Sequence, residues 1–473
     1  MKKTSSAGIP SRFERRSRVV AIAAVSVATT LLLGACSSSG TPTQVSKPGV
    51  ISGPVSYWVG LDSTDRDSTN TWKKWNAAAF EKQNPKVQFN ITVMSGQAHD
   101  PKQKTALAAG QGPDLITTNG SADAIPFASA GYLANLNSAE EKDGWTSSIL
   151  PWALSMGEVH GKLESLPTSY ESMVLYYNKT VFEKNGWTPP TDRASLETLA
   201  SEMKAKGIIP FAAGDSGDPD TEWLISTFMN EVAGPAKIHD ALAGKIKFTD
   251  PAIEASVALM KKYFDEGYFE GGVKQYFTAT DDKKIAQFAS GKAAMYISGS
   301  WDLATMPTVF GVKGNKNDWD WAPLPPLAPG VPSNVYPLSV GGTISVNAHS
   351  SNISGATAYL KWMFSDTKNM WAAAEATGSE PLPIKYTAAD VPSGVDPKYV
   401  AQYEAINDAS EKGLVGYVTW TSFGGKADNY IIENSDKVLN GNLSVDAFCQ
   451  GIQKAFDIDK KAGLIPALFP TNG

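Results

Sequence analysis

The residues that could do chemistry in this chain are carboxylates, aromatics and one cysteine near the N-terminus. His99, His160, His239 and His349 stand far apart, and none has the spacing of a ligand pair. A tetrahedral zinc site therefore lacks donors, and no metal is expected. The paired Tyr176 and Tyr177 could serve ferric iron, but further ligands for it are not evident. No Gly-rich phosphate loop and no GxSxG elbow occurs, so no cofactor and no nucleophilic hydrolase are indicated. Aromatics are abundant instead, with 13 Trp, 16 Tyr and 18 Phe. Flat rings suit the C–H faces of a sugar, and planar polar groups suit its hydroxyls.

The cysteine has a different use. Leu31-Leu32-Leu33-Gly34-Ala35-Cys36 closes an uncharged run that starts at Val19. Before it stand Lys2, Lys3, Arg12, Arg15, Arg16 and Arg18 against a single acid, Glu14. The run is shorter than the about 20 residues of a membrane span, and Gly34-Ala35 supply the small residues of a cleavage site. The pattern predicts a lipoprotein signal peptide over 1–35, then lipidated Cys36 and a flexible Ser/Gly/Pro linker to residue 53. Arg15-Arg16 is followed by Ser17-Arg18-Val19, a poor twin-arginine signal. Cleavage would remove six positive charges and one negative, taking the formal charge from −6 to −11. Such an acidic body is a poor partner for nucleic acid. With Cys36 acylated, Cys449 has no disulfide partner and reads as a small buried residue.

These groups need elements to position them. Val55–Val59 is a short apolar strand, followed by a polar loop that starts at Asp62 and Ser63. Trp72, Trp75, Ala79 and Phe80 recur at helical spacing and read as core. Val87, Phe89, Ile91 and Val93 alternate as a strand, Lys102–Ala109 reads as a helix, and Leu115-Ile116 opens a buried strand. This β-α-β-α-β opening argues for a parallel sheet covered by helices. A second such run begins at Ser172–Lys179 and continues through the strands Ile208–Ala212 and Ala293–Ile297. A chain of this length, with two α/β runs, predicts two lobes.

A string of short motifs appears in order: Trp58, Phe80-Glu81-Lys82-Gln83-Asn84-Pro85, Gly112-Pro113-Asp114 and Leu175-Tyr176-Tyr177-Asn178-Lys179. Phe288-Ala289-Ser290-Gly291-Lys292-Ala293, Gly299-Ser300-Trp301, Gly341-Gly342 and Gly378-Ser379-Glu380-Pro381 follow. The chain thereby resembles the extracellular solute-binding proteins of ABC importers, in the carbohydrate-binding branch related to the maltodextrin-binding proteins. The resemblance implies an α/β, two-lobe periplasmic-binding-protein-like fold with a hinge and an interlobe ligand cleft. Lobe I is expected over 54–167 and 320–365, and lobe II over 168–319 and 366–473. It also implies a monomer that binds a carbohydrate without catalysis. Closure then presents a surface to the transmembrane subunits of the permease, with the body held by its lipid on the extracytoplasmic face of the cell membrane.

The resemblance also implies ligand contacts. Trp301 stacks on sugar, Trp420 supplies a further aromatic, and Glu171 with Tyr170 beside it accepts hydroxyls just before the second lobe's first strand. Trp58, Asp62 and Ser63 belong to the carboxyl end of the first strand, where open α/β sheets place ligands. Asn119 follows the third strand, where the maltodextrin pattern has an aromatic and an acid, so a different sugar is expected. Trp223 faces either the cleft or the core. Gly341 and Gly342 let backbone approach a ligand, and Glu380 lies in a turn that lines the cleft. Two competing functions remain at this level: a secreted glycoside hydrolase, which needs two spaced carboxylates, or a receptor for a peptide or polyamine, the latter wanting several acids in the cleft.

Overall fold

Alternating and apolar-rich segments form eleven strands among the described residues of the computed structural model, which are 51–61, 66–216 and 219–472. All of these residues lie in one compact unit, 44–473. The predicted signal peptide, Cys36 and most of the linker lie outside the described residues, as do Asp62 and Ser63.

β1 (Gly53–Leu61) pairs in parallel with β2 (Val87–Ser95) along its whole length, and with β3 (Leu115–Thr118) at Tyr57. A hairpin of β4 (Glu158–Val159) and β5 (Lys162–Leu163) stands apart. β6 (Leu166–Asn178) is the longest strand. β7 (Ile209–Ala212), β8 (Ala293–Gly299), β9 (Trp319–Ala322), β10 (Tyr336–Val346) and β11 (Val415–Tyr417) follow. The main sheet runs β2-β1-β3-β10-β6-β8-β7, with β11 beside β10 and β9 beside β6. Parallel pairs carry the two ends of this order, as the β-α-β patterns predict.

The centre is antiparallel and rests on two strands. Residues Leu166–Ser172 of β6 pair with β10, whereas Met173–Asn178 pair with β8 and β9. In β10, Tyr336–Leu338 pair with β11 and Thr343–Val346 with β3. The β10–β6 register slips between Ser339 and Thr343, across Gly341-Gly342. Side chains cannot occupy that slip: a Cβ on Gly341 would stand 1.4 Å from Glu171 Oε1.

Two boundaries differ from the sequence reading. β6 starts at Leu166 rather than Ser172, because its first half is held by β10, a partner far along the chain. The helix predicted over Lys102–Ala109 begins at Gly96 and encloses Pro101. The first helical stretch runs from Arg66 to Gln83 through a π segment at Lys74–Ala78. Its Phe80 packs edge-on against Tyr359 at 5.4 Å, tying it to the helix Ile353–Met363. Cys449 is free and fully buried, as expected. No described helix is long and apolar enough to cross a membrane.

Candidate functional site

Beside the register slip between β6 and β10, the first turns of four helices converge on a cavity of about 630 Å³. They are Ser121–Ser129, Asp220–Phe228, Asp281–Ser290 and Gly425–Leu439. The cavity holds five of the residues singled out in the sequence: Asn119, Glu171, Trp223, Trp301 and Trp420.

The three tryptophans arrive from separate segments. Trp301 lies in the turn Ser300–Leu303 that ends β8. Its ring folds back over Gly299, where a Cβ would come within 2.1 Å of the indole. Trp223 comes from the first turn of Asp220–Phe228, and its ring centroid stands 4.9 Å from that of Trp301 at 57°. Trp420, in the short helix Thr419–Ser422, meets Trp301 edge-on at 6.3 Å. All three are half-buried, so each keeps part of its ring for a ligand.

Carboxylates face these rings. Neighbours on a strand point to opposite faces, so Glu171 turns to the cavity and Tyr170 turns away. Glu171 accepts a hydrogen bond from Ser339 Oγ at 2.9 Å. It is also hydrogen-bonded to Glu380, which accepts from Ser300 Oγ at 3.3 Å. Burial pushes both carboxyls up, and for Glu380 the charge of Glu171 adds to the rise. Two carboxyl groups in contact cannot both ionise cheaply, so each raises the other's affinity for a proton. Glu380 is aimed by Gly378, whose left-handed φ of 69° ends the helix Thr367–Thr377.

A second pair repeats the pattern. Glu222, 3% exposed, is hydrogen-bonded to Asp428 and accepts from Thr419 Oγ1. Burial pushes Glu222 well up and the neighbouring Asp428 adds to it; burial raises Asp428 as well. Asp123 stands at the exposed rim of the cavity beside Asp428. Asp302 is satisfied by Tyr296 and Ser298, whose hydroxyls donate at 2.7 and 2.6 Å. The buried Lys284 donates to Asp220 at 2.7 Å and pairs with Asp281 at 2.9 Å. Its ammonium also lies 5.3 Å from the Trp223 ring centroid.

A second cavity, of about 890 Å³, adjoins the first. Thr118, next to Asn119, and Glu380, bonded to Glu171, line it together with Tyr57, Trp72, Trp75 and Trp362. Another hollow, of about 840 Å³, runs along Val445–Lys461 and has no aromatic in its lining.

Six residues singled out in the sequence stand differently. Tyr170 is wholly buried between Trp152 and Tyr403 and reaches neither cavity. Trp58 points to the other face of β1, where Lys102 Nζ sits 4.3 Å above its ring; its neighbour Tyr57 takes the cavity face. Gly341, not Gly342, lines the first cavity. Glu380 lines the second cavity and touches the first only through Glu171. Trp72 and Trp75 read as core but line the second cavity. The sequence reading missed Asp123, Glu222, Asp281, Asp302 and Asp428. Their signal was a carboxylate in or next to the first turn of a helix, which is also ordinary helix chemistry.

The model of the family described as bacterial extracellular solute-binding protein matches residues 65–370. The chain belongs to that family. This solute-binding protein is 23% identical over 375 residues to the diacetylchitobiose binding protein NgcE of Streptomyces coelicolor, covering 76% of each chain. It is 22% identical over 297 residues to an uncharacterized ABC transporter extracellular-binding protein of Pyrococcus horikoshii, a match over 61% of this chain and 63% of that relative. Its fold is that of a solved chitin oligosaccharide binding protein, with a TM-score of 0.71, 22% identity, and coverage of 86% and 98%. The α/β, two-lobe architecture expected from the sequence is therefore its fold. The family is one of binding proteins.

Proposed function

We propose that this solute-binding protein captures a saccharide for an ABC importer and releases it to the permease. The observation that carries this reading is the junction of three tryptophans from separate segments with hydrogen-bonding carboxylates around one cavity of about 630 Å³. The rings supply stacking faces and the carboxylates supply acceptors, the two requirements of a sugar. The Streptomyces coelicolor relative, named for diacetylchitobiose, supports the same class. The adjoining second cavity gives room for more than one sugar unit.

In this reading β6 and β10 are the crossing strands of a hinge between a lobe of 54–167 with 320–365 and a lobe of 168–319 with 366–473. Ligand favours the closed form to the extent that it binds that form better. The mature chain begins at lipidated Cys36, which tethers a monomer outside the cell membrane beside its permease. The site binds and does not cut. The family, one of binding proteins, supports this part of the reading.

A thermal-shift screen of neutral oligosaccharides, amines and peptides tests the reading. A saccharide at 100 times its Kd should add about 2.7 kcal/mol of stability. Stabilisation by a peptide or a polyamine, with no saccharide active, would overturn the substrate class. Time-dependent cleavage of an oligosaccharide would overturn the binding-only mechanism.

A further inference from the structure

We propose that Lys284 is a positioning residue of the saccharide site: its buried ammonium fixes Trp223 and Asp281 as one unit of stacking ring and hydroxyl acceptor. The inference rests on the saccharide reading and deepens it by naming the group that arranges the contacts. The Lys284 side chain is fully buried. Its Nζ donates to Asp220 Oδ1 at 2.7 Å and pairs with Asp281 Oδ1 at 2.9 Å. It lies 5.3 Å from the ring centroid of Trp223 and 5.8 Å from that of Tyr296. Asp281, Trp223 and Tyr296 line the cavity of about 630 Å³, with the ammonium behind them.

The ammonium joins segments that are far apart in sequence. Asp220 and Trp223 belong to the first turn of Asp220–Phe228, and Asp281 opens the helix Asp281–Ser290 that carries Lys284. Asp220 Oδ2 accepts from Gly214 N at 3.0 Å, so the loop after β7 is held as well. Tyr296, in β8, donates to Asp302 at 2.7 Å, and Asp302 follows Trp301 in the turn that ends β8.

Stability alone does not account for a lysine here. Helix N-termini favour anions and disfavour cations, yet this ammonium is bonded to first-turn acids of two helices. Well-packed apolar residues of similar volume often stabilise a fold as well as a buried ion pair does, or better. Departures from local rules concentrate at functional sites. What an ammonium supplies and an apolar side chain does not is direction. The Asp281 side chain is 57% exposed and would sample several rotamers without a partner. Its pairing with Lys284 holds it at the cavity, where it can accept from a sugar hydroxyl beside the indole of Trp223. A ring face over the same ammonium is held by its attraction to the cation. A saccharide then meets ring and acceptor already in place, so less side-chain freedom is lost on binding.

The test separates positioning from stability. The full chain and its variants are titrated calorimetrically with short malto-, xylo-, cello- and N-acetylated chito-oligosaccharides, and each variant's stability is read by urea unfolding. Lys284→Met is expected to weaken the tightest-binding of these saccharides by at least about tenfold. Asp220→Asn combined with Lys284→Met removes the charge pair and keeps an acceptor for Gly214 N. This combination is expected to recover stability without recovering affinity, a split that a purely structural lysine would not produce. In a Trp223→Ala, Asp281→Asn background, adding Lys284→Met should lower affinity by less than about twofold, because the residues it acts through are already gone. Wild-type affinity in either folded Lys284 variant overturns the assignment and leaves the saccharide reading standing. A further loss of about tenfold in that background overturns it too, since the lysine then acts by another route. If Lys284→Met alone does not fold, its combination with Asp220→Asn decides. If none of the saccharides binds the unaltered chain, the saccharide reading falls and this assignment falls with it.

Discussion

Trp301 is the sharpest place to test the site, because it joins the other two indoles. In Trp301→Ala the ring 4.9 Å from Trp223 and 6.3 Å from Trp420 is lost, and Gly299 is uncovered. Two effects follow, and they can be measured apart. The first concerns ligand. A sugar that covers about a third of the roughly 200 Å² an indole can bury removes about 70 Å² of apolar surface from water. At about 25 cal/mol per Å² this is ~1.7 kcal/mol, or about 20-fold in Kd. The second concerns the unliganded fold. Two ring contacts at about 0.5–1.5 kcal/mol each are lost, partly offset because Trp301 is only half-buried. Calorimetric titration with the saccharide that wild type binds tightest reads the first, and urea unfolding of the free protein reads the second. Trp301→Phe, which keeps a flat ring, should recover more than half of the lost binding energy. A folded Trp301→Ala protein whose affinity is unchanged within twofold would falsify the stacking role and with it the cavity as the sugar site.

The remaining expectations are shorter. The buried carboxyls Glu171, Glu380, Glu222 and Asp428 are pushed above their usual range, so their folded-state affinity for protons exceeds the unfolded one. Their contribution to stability is present at low pH and lost as pH rises through the raised values. The melting temperature of the free protein should therefore climb as pH falls from about 8 to about 5, and Glu380→Gln should flatten that slope; a slope unchanged in the variant would mean that the pair is not the cause. Gly341→Ala would drive a Cβ to 1.4 Å from Glu171 Oε1, so Glu171 must leave its place; affinity for saccharide should fall by more than tenfold, and retained affinity would remove Glu171 from the contacts. Trp75→Ala alters the second cavity alone, so it should weaken a trisaccharide or longer ligand several-fold and a monosaccharide little; equal effects on both would dissolve the idea of a shared cleft. Cys36→Ser should appear in the medium and still bind its sugar, and retention in the membrane fraction would exclude the lipid tether.

How much of this was legible in the sequence depends on how local each feature is. The order of strands, helices and motifs is local, and the α/β architecture followed from it. The phase of β1 and β6 is not. In β1 the burial alternates, with Val55, Tyr57 and Val59 inside, but Tyr57 and Trp58 are both aromatic and either could be read as the ring that faces a cavity; in β6 the phase at Tyr170 and Glu171 is set by distant partners. The burial of Tyr170 between Trp152 and Tyr403 is set by elements far away in sequence. The carboxyl pairs were illegible for the same reason, since Glu222 and Asp428 sit on helices Asp220–Phe228 and Gly425–Leu439 that meet only in the fold. Trp72 and Trp75 show the converse. Helical spacing gave their common face correctly, but a common face can line a cavity as well as fill a core.

Glu171 draws these levels together. It lies on the strand that changes partners, opposite Ser339, at the edge of the register slip that Gly341 and Gly342 make possible. A side chain on Gly341 would close the gap that its carboxyl fills. Any opening or closing that turns β6 against β10 must therefore move this carboxyl relative to Glu380 and the cavity. A ligand that hydrogen-bonds Glu171 replaces what Glu380 supplies. On the proposed hinge reading, one side chain would couple the β6–β10 pairing to the binding site, and Glu380→Gln probes both at once. It should leave the sheet intact while changing the ligand concentration at which the protein closes.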